Sequence, residues 1–187
     1  MDIVVDDVLY PSAEHYYQYT KAMFLGFPED ANRVLAAKSP YDAMVIGNEL
    51  LNDINDALAG EWNASKTEVM QRTLELKYDS SSDFRDYLHA TNDKLLVEAT
   101  SHPFWASGLN PQKTRSRHPD DYPGQNQLGT MLMELRDKLN HLAVPINIPL
   151  VLHDVTSNQP SICDNPAYLA EELIAPIQII LVYSSMT

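Results

Sequence analysis

Over the first 140 residues, apolar and polar positions alternate in short helical stretches punctuated by proline, serine and asparagine. In "YPSAEHYYQYTKAMF" a polar stripe, Glu14, Gln18 and Lys21, runs among four tyrosines at i, i+4 and i+7, which places it on one helical face. Pro11 or Ser12 starts this helix, which runs to about Leu25, because proline suits a first turn and serine caps it. "FPEDANRVLAA" predicts a second helix opened by Pro28, with Glu29 and Asp30 at its positive end. "SPYDAMVIGNEL" predicts a third, with Ser39 as cap, Pro40 at the first position and Asp42 completing a near capping box.

From Trp62 to Lys77, the residues Val69, Met70, Thr73, Leu74 and Leu76 recur at helical spacing, so a helix starts at Trp62. The serine run before "DFRDYLHAT" caps another. "KLLVEAT", Lys94 to Thr100, is too short for a helix and lies between Asn92-Asp93 and His102-Pro103, so it reads as a strand. A polar loop without periodicity is expected from Leu109 to Pro123. "GQNQLGTMLMELRDKL" predicts an amphipathic helix with Leu128, Leu132, Leu135 and Leu139 on its stripe. Beyond about Leu142 five prolines cut the chain into short pieces, of which "INIPLVLHDV" and "IQIILVY" have strand composition. The expected organisation is one domain over residues 1–142 and an appended Pro-rich stretch over 143–187, a strand pair laid against the core.

Composition narrows this picture. The 187 residues, 44% hydrophobic and 21% charged, suit a globular chain with a sizeable core. The net charge of -13 repels phosphate backbones and disfavours bulk nucleic-acid binding, while "KTRSRH" remains a local basic patch for a small anion. The single cysteine, Cys163, excludes an internal disulfide and a zinc finger and points to a reducing compartment. "MDIVVDDV" has neither the basic start nor the apolar core of a signal peptide. The longest apolar run, Ile174 to Tyr183, is about half of the roughly 20 residues that span a bilayer. A cytoplasmic or nuclear protein is expected.

No two of the six histidines sit four apart on a helix, and Glu14 and His15 point about 100° apart, so no metal site and no cofactor is expected. Nucleophile-elbow and phosphate-loop motifs are absent, and Cys163 lies without a base. Carboxylates remain. Glu14 in a first turn reads either as a solvated, dipole-stabilised charge or as one end of a catalytic face. Glu98, alternating with Leu96 and Thr100 in an apolar strand, faces either solvent or a site, because unpaired burial is costly. Trp62 and Trp105 are core residues or, in the loop "PFWASGLN", a stacking platform. The residues alone leave three readings open: an enzyme, a ligand-binding domain and an interaction module.

The motifs "YPSAEHYYQYTKA", "LAAKSPYDAMVIG", Trp62 followed by "VMQRTLELKY", "LLVEAT", "FWASGL" and "YPGQNQLGTMLMELR" stand in the order found in the NADAR, or YbiA-like, family. The chain resembles that family from Val4 to Leu139. The resemblance implies an α+β fold, a mainly α-helical single domain with a few short strands. It implies hydrolysis of N-glycosidic bonds, either of phosphoribosylated pyrimidine intermediates of riboflavin synthesis or of ADP-ribose on modified guanine. The partner it implies is thus a small ribose-type or ADP-ribose-type molecule.

By matching position, Glu14, Trp62 and Glu98 would be catalytic, and Gln18, Lys21, His102, Trp105, Gly108, Asn126 and Gly129 would line the substrate. Leu128 completes the "LG" that opens the last helix. Lys21, with Arg115 or Arg117, would receive a phosphate. The chain departs from the family pattern at His102, where an acidic residue is common, and at Ala106, where glycine is usual. It is also expected to lack the strand and "FSNF"-type segment with which family members begin some thirty residues earlier.

Overall fold

A computed structural model describes residues 2–142 and 179–181. The chain opens with a hairpin, β1 (Ile3–Val5) and β2 (Val8–Tyr10), paired antiparallel with Ile3 opposite Tyr10 and Val5 opposite Val8. Asp6 and Asp7 make its two-residue turn at φ 49° and 63°, the left-handed pair that matches the twist of the strands. Ile3 and Tyr10 pack with Leu76, whereas Val4 and Leu9 face outward.

Helix α1 (Ala13–Phe24) follows, capped by the Ser12 hydroxyl, which accepts the His15 N–H. Helix α2 (Pro28–Leu35) begins on its proline, and α3 (Pro40–Glu49) is capped by Ser39. Both helices pack against α1. The long helix α4 (Asp56–Ser80) is capped by Asn55, so Trp62 lies in its second turn and not at its start. The opening "DALAGE" carries caps and first-turn acid but no apolar period, which hid the first turn. At 25 residues α4 is about 37 Å long and acts as the spine, touching α1, α5, α7 and β1. Helix α5 (Ser82–Ala90) is capped by Ser81.

Strand β3 (Leu96–Glu98) is shorter than the expected Lys94–Thr100 and pairs antiparallel with β4 (Ile179–Leu181), which lies in "IQIILVY". One edge of β3 is held by groups that belong to no strand. The Leu96 N–H reaches Met133 Sδ (3.4 Å), and the Asn126 carboxamide donates to Leu96 O and accepts from the Glu98 N–H (both 2.9 Å). The Ser107 N–H closes on Glu98 O at 2.8 Å.

The stretch 109–123 is ordered, where a loop without structure was expected. It holds α6 (Pro111–Arg115), capped by Asn110, and a 3-10 turn, Pro119–Asp121. Thr114 pins it: its hydroxyl meets Ser107 Oγ at 2.8 Å, and its carbonyl accepts from Tyr122 Oη at 2.9 Å. Helix α7 (Gln127–Leu142) buries Leu128, Leu132 and Leu135 against β3, α4 and α5, with Trp62, Leu74 and Phe84 in the same core.

The architecture is α+β, mainly helical with three-residue strands. Apart from β4, the stretch 143–187, with Cys163 and "INIPLVLHDV", lies outside the described residues, as does the side chain of Leu139. Among the described residues no helix is long and apolar enough to cross a membrane, and no three His, Cys, Asp or Glu side chains are grouped to hold a metal.

Candidate active site

The "EH" pair of α1 splits its duties. The His15 ring is buried, with Nε2 donating to Ala37 O (3.1 Å) and Nδ1 therefore accepting from the Ser12 hydroxyl (2.7 Å). It ties α1 to the connection between α2 and α3. Glu14, turned by about 100°, lies instead on the face shared with Tyr17, Gln18 and Lys21. Gln18 Nε2 donates to Glu14 Oε1 at 2.7 Å.

Glu14 is half-buried, and burial pushes its carboxyl above the ordinary range, against the Gln18 hydrogen bond and the charges of Lys21 and Lys77. Lys21 is only 3% exposed, and its ammonium makes no hydrogen bond or ion pair with any described residue. Burial brings its pKa down to about 8, Glu14 opposes the change and Lys66 adds to it. Burial likewise brings Lys77 on α4 to about 8, with Glu14 opposing. Its ammonium lies 4.6 Å from the Phe84 ring centroid.

Aromatic rings wall this group. Tyr17 sits 5.7 Å from Trp62 and 6.3 Å from Trp105, Phe24 meets Trp62 at 5.5 Å, and Phe104 meets Trp105 edge-on at 4.7 Å. Burial raises the Tyr17 phenol, and the Glu14 charge adds to that, so the phenol stays neutral. Lys66 on α4 places its ammonium 3.9 Å over Phe104 and 5.9 Å from Trp105, held also by Asn63 Oδ1 at 2.8 Å. One carboxyl group therefore lies under the charges of two lysines, Lys21 and Lys77, while Lys66 acts on Lys21 from beside the Phe104 and Trp105 rings.

The structure brings together Glu14, Gln18, Lys21, Trp62 and Trp105 from the set expected by resemblance. Of the others, His102 and Gly108 shape the loop around Trp105, while Asn126 and Gly129 meet β3, which carries Glu98. His102 is exposed, and its Nδ1 accepts the N–H groups of Phe104 and Trp105 (both 3.1 Å), so the ring shapes the turn that presents them. Partial burial and Lys66 lower its pKa. The carbonyls of Pro103, Phe104, Trp105 and Ala106 accept from the N–H groups of Gln125, Gln127, Leu128 and Asn126 respectively.

Asn126, left-handed at φ 50°, spends its carboxamide on β3. Gly108 at φ 75° and Gly129 permit close approach: a Cβ on Gly129 would lie 2.2 Å from Leu96 O, and one on Gly108 would lie 2.9 Å from Gly124 N. Glu98 is 4% exposed, which removes the solvent-facing alternative. Arg115 and Arg117 are exposed, on α6 and just after it.

Lys66 and Lys77 were not singled out from the sequence, although each carried a signal. Lys77 falls on the buried stripe Met70, Thr73, Leu74 at i+7, where a lysine is out of place, and Lys66 follows Trp62 by one turn.

The NADAR domain family model matches residues 1–140 of the chain. The chain is 32% identical over 138 residues to N-glycosidase YbiA of Escherichia coli (strain K12), covering 73% of this chain and 75% of that protein. It is 29% identical over 138 residues to the chloroplastic riboflavin biosynthesis protein PYRR of Zea mays, covering 72% of this chain and only 20% of that longer protein. The NMR structure of the E. coli protein YbiA superposes with a TM-score of 0.57 at 27% identity, covering 76% of this chain and 74% of that chain.

Proposed function

This chain belongs to the NADAR family, and from that premise we propose that it is an N-glycosidase acting on ribose-containing small molecules, phosphoribosylated riboflavin intermediates or ADP-ribose conjugates. The single observation that carries this reading is the Glu14 carboxyl, oriented by Gln18 at 2.7 Å and acted on by the charges of Lys21 and Lys77. The names of the two relatives, an N-glycosidase and a riboflavin biosynthesis protein, support the bond type and the substrate class.

Cleavage of an N-glycosidic bond passes through an oxocarbenium-like state, in which positive charge develops on the ribose. Ionised Glu14 stabilises that charge and accepts a proton from the attacking water. The C–N bond electrons leave with the base. Lys21, near its own pKa at neutral pH, donates the proton that the departing nitrogen needs. Trp62, Trp105 and Tyr17 form an apolar wall on which a planar base stacks.

The excess of lysine over carboxylate favours a substrate carrying phosphate over a neutral nucleoside. Phosphoribosylated aminopyrimidines and ADP-ribosylated guanosine both carry phosphate, so both are substrates to test.

The deciding experiment follows release of base and ribose by mass spectrometry, for the protein and for Glu14→Ala. Release from either class, reduced about 10²–10⁴-fold by the substitution, is the expected result. Absence of release from folded protein on every candidate would overturn the reading in favour of ligand binding without turnover.

A further inference from the structure

We infer that Gly47 on α3 is a positioning residue for Glu14, acting through the carboxamide of Gln18. This rests on the catalytic reading of Glu14 above. Gly47 is buried where α3 crosses α1, and the Gln18 side chain fills the space a β-carbon would need. A Cβ on Gly47 would lie 1.9 Å from Gln18 Oε1 and 2.7 Å from Cδ.

The carboxamide is thus confined from both sides. Its Nε2 is drawn to Glu14 Oε1 at 2.7 Å, and its Oε1 is pressed toward the Gly47 backbone, buried and without a hydrogen-bond partner. An unbonded buried oxygen is an unfavourable arrangement. Turning the amide over would present oxygen to a carboxylate, which is worse. The side chain therefore has one orientation, and glycine at position 47 makes it sterically available.

The consequence for Glu14 is electrostatic. Around its carboxyl stand Gln18 and Lys21 on α1 and Lys77 on α4, each favouring the ionised form against burial, while Tyr17 is a neutral neighbour whose phenol is raised in part by the Glu14 charge. Lys66 reaches the group only through its effect on Lys21. From α3 the contribution is steric, by way of Gly47. Displacing the carboxamide removes a charge-assisted donor, which leaves the carboxylate less stable as an anion and less fixed in direction.

Gly47→Ala separates this role from general packing. Alanine favours the helix, and the closest atoms it meets, Gln18 Oε1 and Cδ, belong to the far end of a side chain, with Gln18 Cβ at 3.2 Å, so the variant is expected to fold with the carboxamide pushed aside. Two readouts apply: the titration of the Glu14 carboxyl by ¹³C NMR on the full chain, and the pH profile of kcat/KM. The expected result is a Glu14 titration displaced to higher pH, with the acid limb of the profile moving the same way and kcat/KM reduced about tenfold. Gln18→Ala should do the same, and Gly47→Ala added to Gln18→Ala should do nothing further.

An unchanged Glu14 titration in Gly47→Ala, or a full additional effect in the Gln18→Ala background, would overturn the inference and leave α3 packing as the role of Gly47. The NMR titration needs no turnover. A displaced titration in a protein that cleaves no substrate would sustain the positioning role while ending the N-glycosidase reading. An unmoved titration in an active enzyme would do the reverse.

Discussion

Arg136 on α7 and Lys21 on α1 are each 3% exposed, and the protein surrounds them differently. Arg136 Nη1 donates to Thr91 Oγ1 and to Lys94 O, both at 2.9 Å, while Nε reaches Asp137 at 3.1 Å. Thr91 in turn donates to Leu88 O at 2.6 Å. The guanidinium thereby fastens the end of α5 and the approach to β3 onto α7. Lys21 has no such partners among the described residues; the charges acting on it are those of Glu14 and Lys66. Buried charge held by several hydrogen bonds to neighbouring elements serves rigidity. Buried charge left without hydrogen bonds is a net cost to the fold, and under the proposed function the substrate supplies the missing partner.

The sharpest way to break this contrast is Arg136→Met, which leaves the Thr91 hydroxyl and the Lys94 carbonyl without their donor. Urea unfolding should show a loss of about 2–4 kcal/mol, with kcat/KM of the folded fraction unchanged. A fall in kcat/KM at full stability would place Arg136 in the site and dissolve the comparison.

Lys21→Met should act in the opposite sense. Replacing this buried lysine by an apolar chain of similar length raises stability by about 1 kcal/mol, while kcat falls about 10²-fold with loss of the proton donor to the departing base. Destabilisation on the scale of Arg136→Met would show that Lys21 is structural too.

The pH dependence sharpens the same point. Lys21 and Lys77 have folded pKa values of about 8, below the unfolded value of 10.5. Below pH 8 both states hold these protons and the penalty of burial is complete. Between pH 8 and 10.5 the unfolded chain keeps protons that the folded chain has released, so stability rises with pH across that window. Glu14 has the opposite sign. Its raised pKa leaves the folded chain holding the proton just above the ordinary carboxyl value of 4.5, so stability falls as pH rises through that lower window. Urea midpoints across the alkaline window should climb for the parent and climb less for Lys21→Met. A flat parent profile would remove the electrostatic half of the contrast.

The smallest effect belongs to Lys66→Met. Loss of the ammonium over Phe104 should cost about 0.5–1 kcal/mol, with Trp105 fluorescence reporting the loosened ring pair. Unaltered fluorescence and stability would mean that the loop is held by its backbone ladder alone.

Much of the helical frame was legible because its ends are written in capping residues. Ser12, Pro28, Ser39 with Pro40, and Ser81 each open a helix where the pattern places one. The Glu14, Gln18, Lys21 face was legible for the same reason, since the 3.6-residue period fixes which side chains align. Three features were not. The β1–β2 hairpin turns on Asp6-Asp7, and two aspartates adopt left-handed φ less readily than the Asn-Gly or Asp-Gly that signals such a turn. The first turn of α4 has its cap but no apolar stripe. Lys66 and Lys77 were obscured because lysine on a helix ordinarily marks the solvent face, and only a neighbour brought in by tertiary packing reverses that reading. Residues placed in the site by resemblance divide as follows: Glu14, Gln18, Lys21 and Trp62 on helix faces meet with Trp105, whereas His102 and Gly108 shape the loop that carries Trp105 and Asn126 and Gly129 meet β3.

The way β3 ends bears on association between chains. Along one edge, both polar groups of Leu96 and of Glu98 terminate on a thioether, a carboxamide and a loop amide. An unpaired strand edge ordinarily recruits a second copy and so seeds aggregation. A strand whose edge is closed by side chains offers no template there, and it lets a short apolar strand hold Glu98 inside the protein without becoming a growth point for fibrils. Asn126→Ala would reopen that edge, and light scattering during long incubation would report it sooner than any assay of turnover.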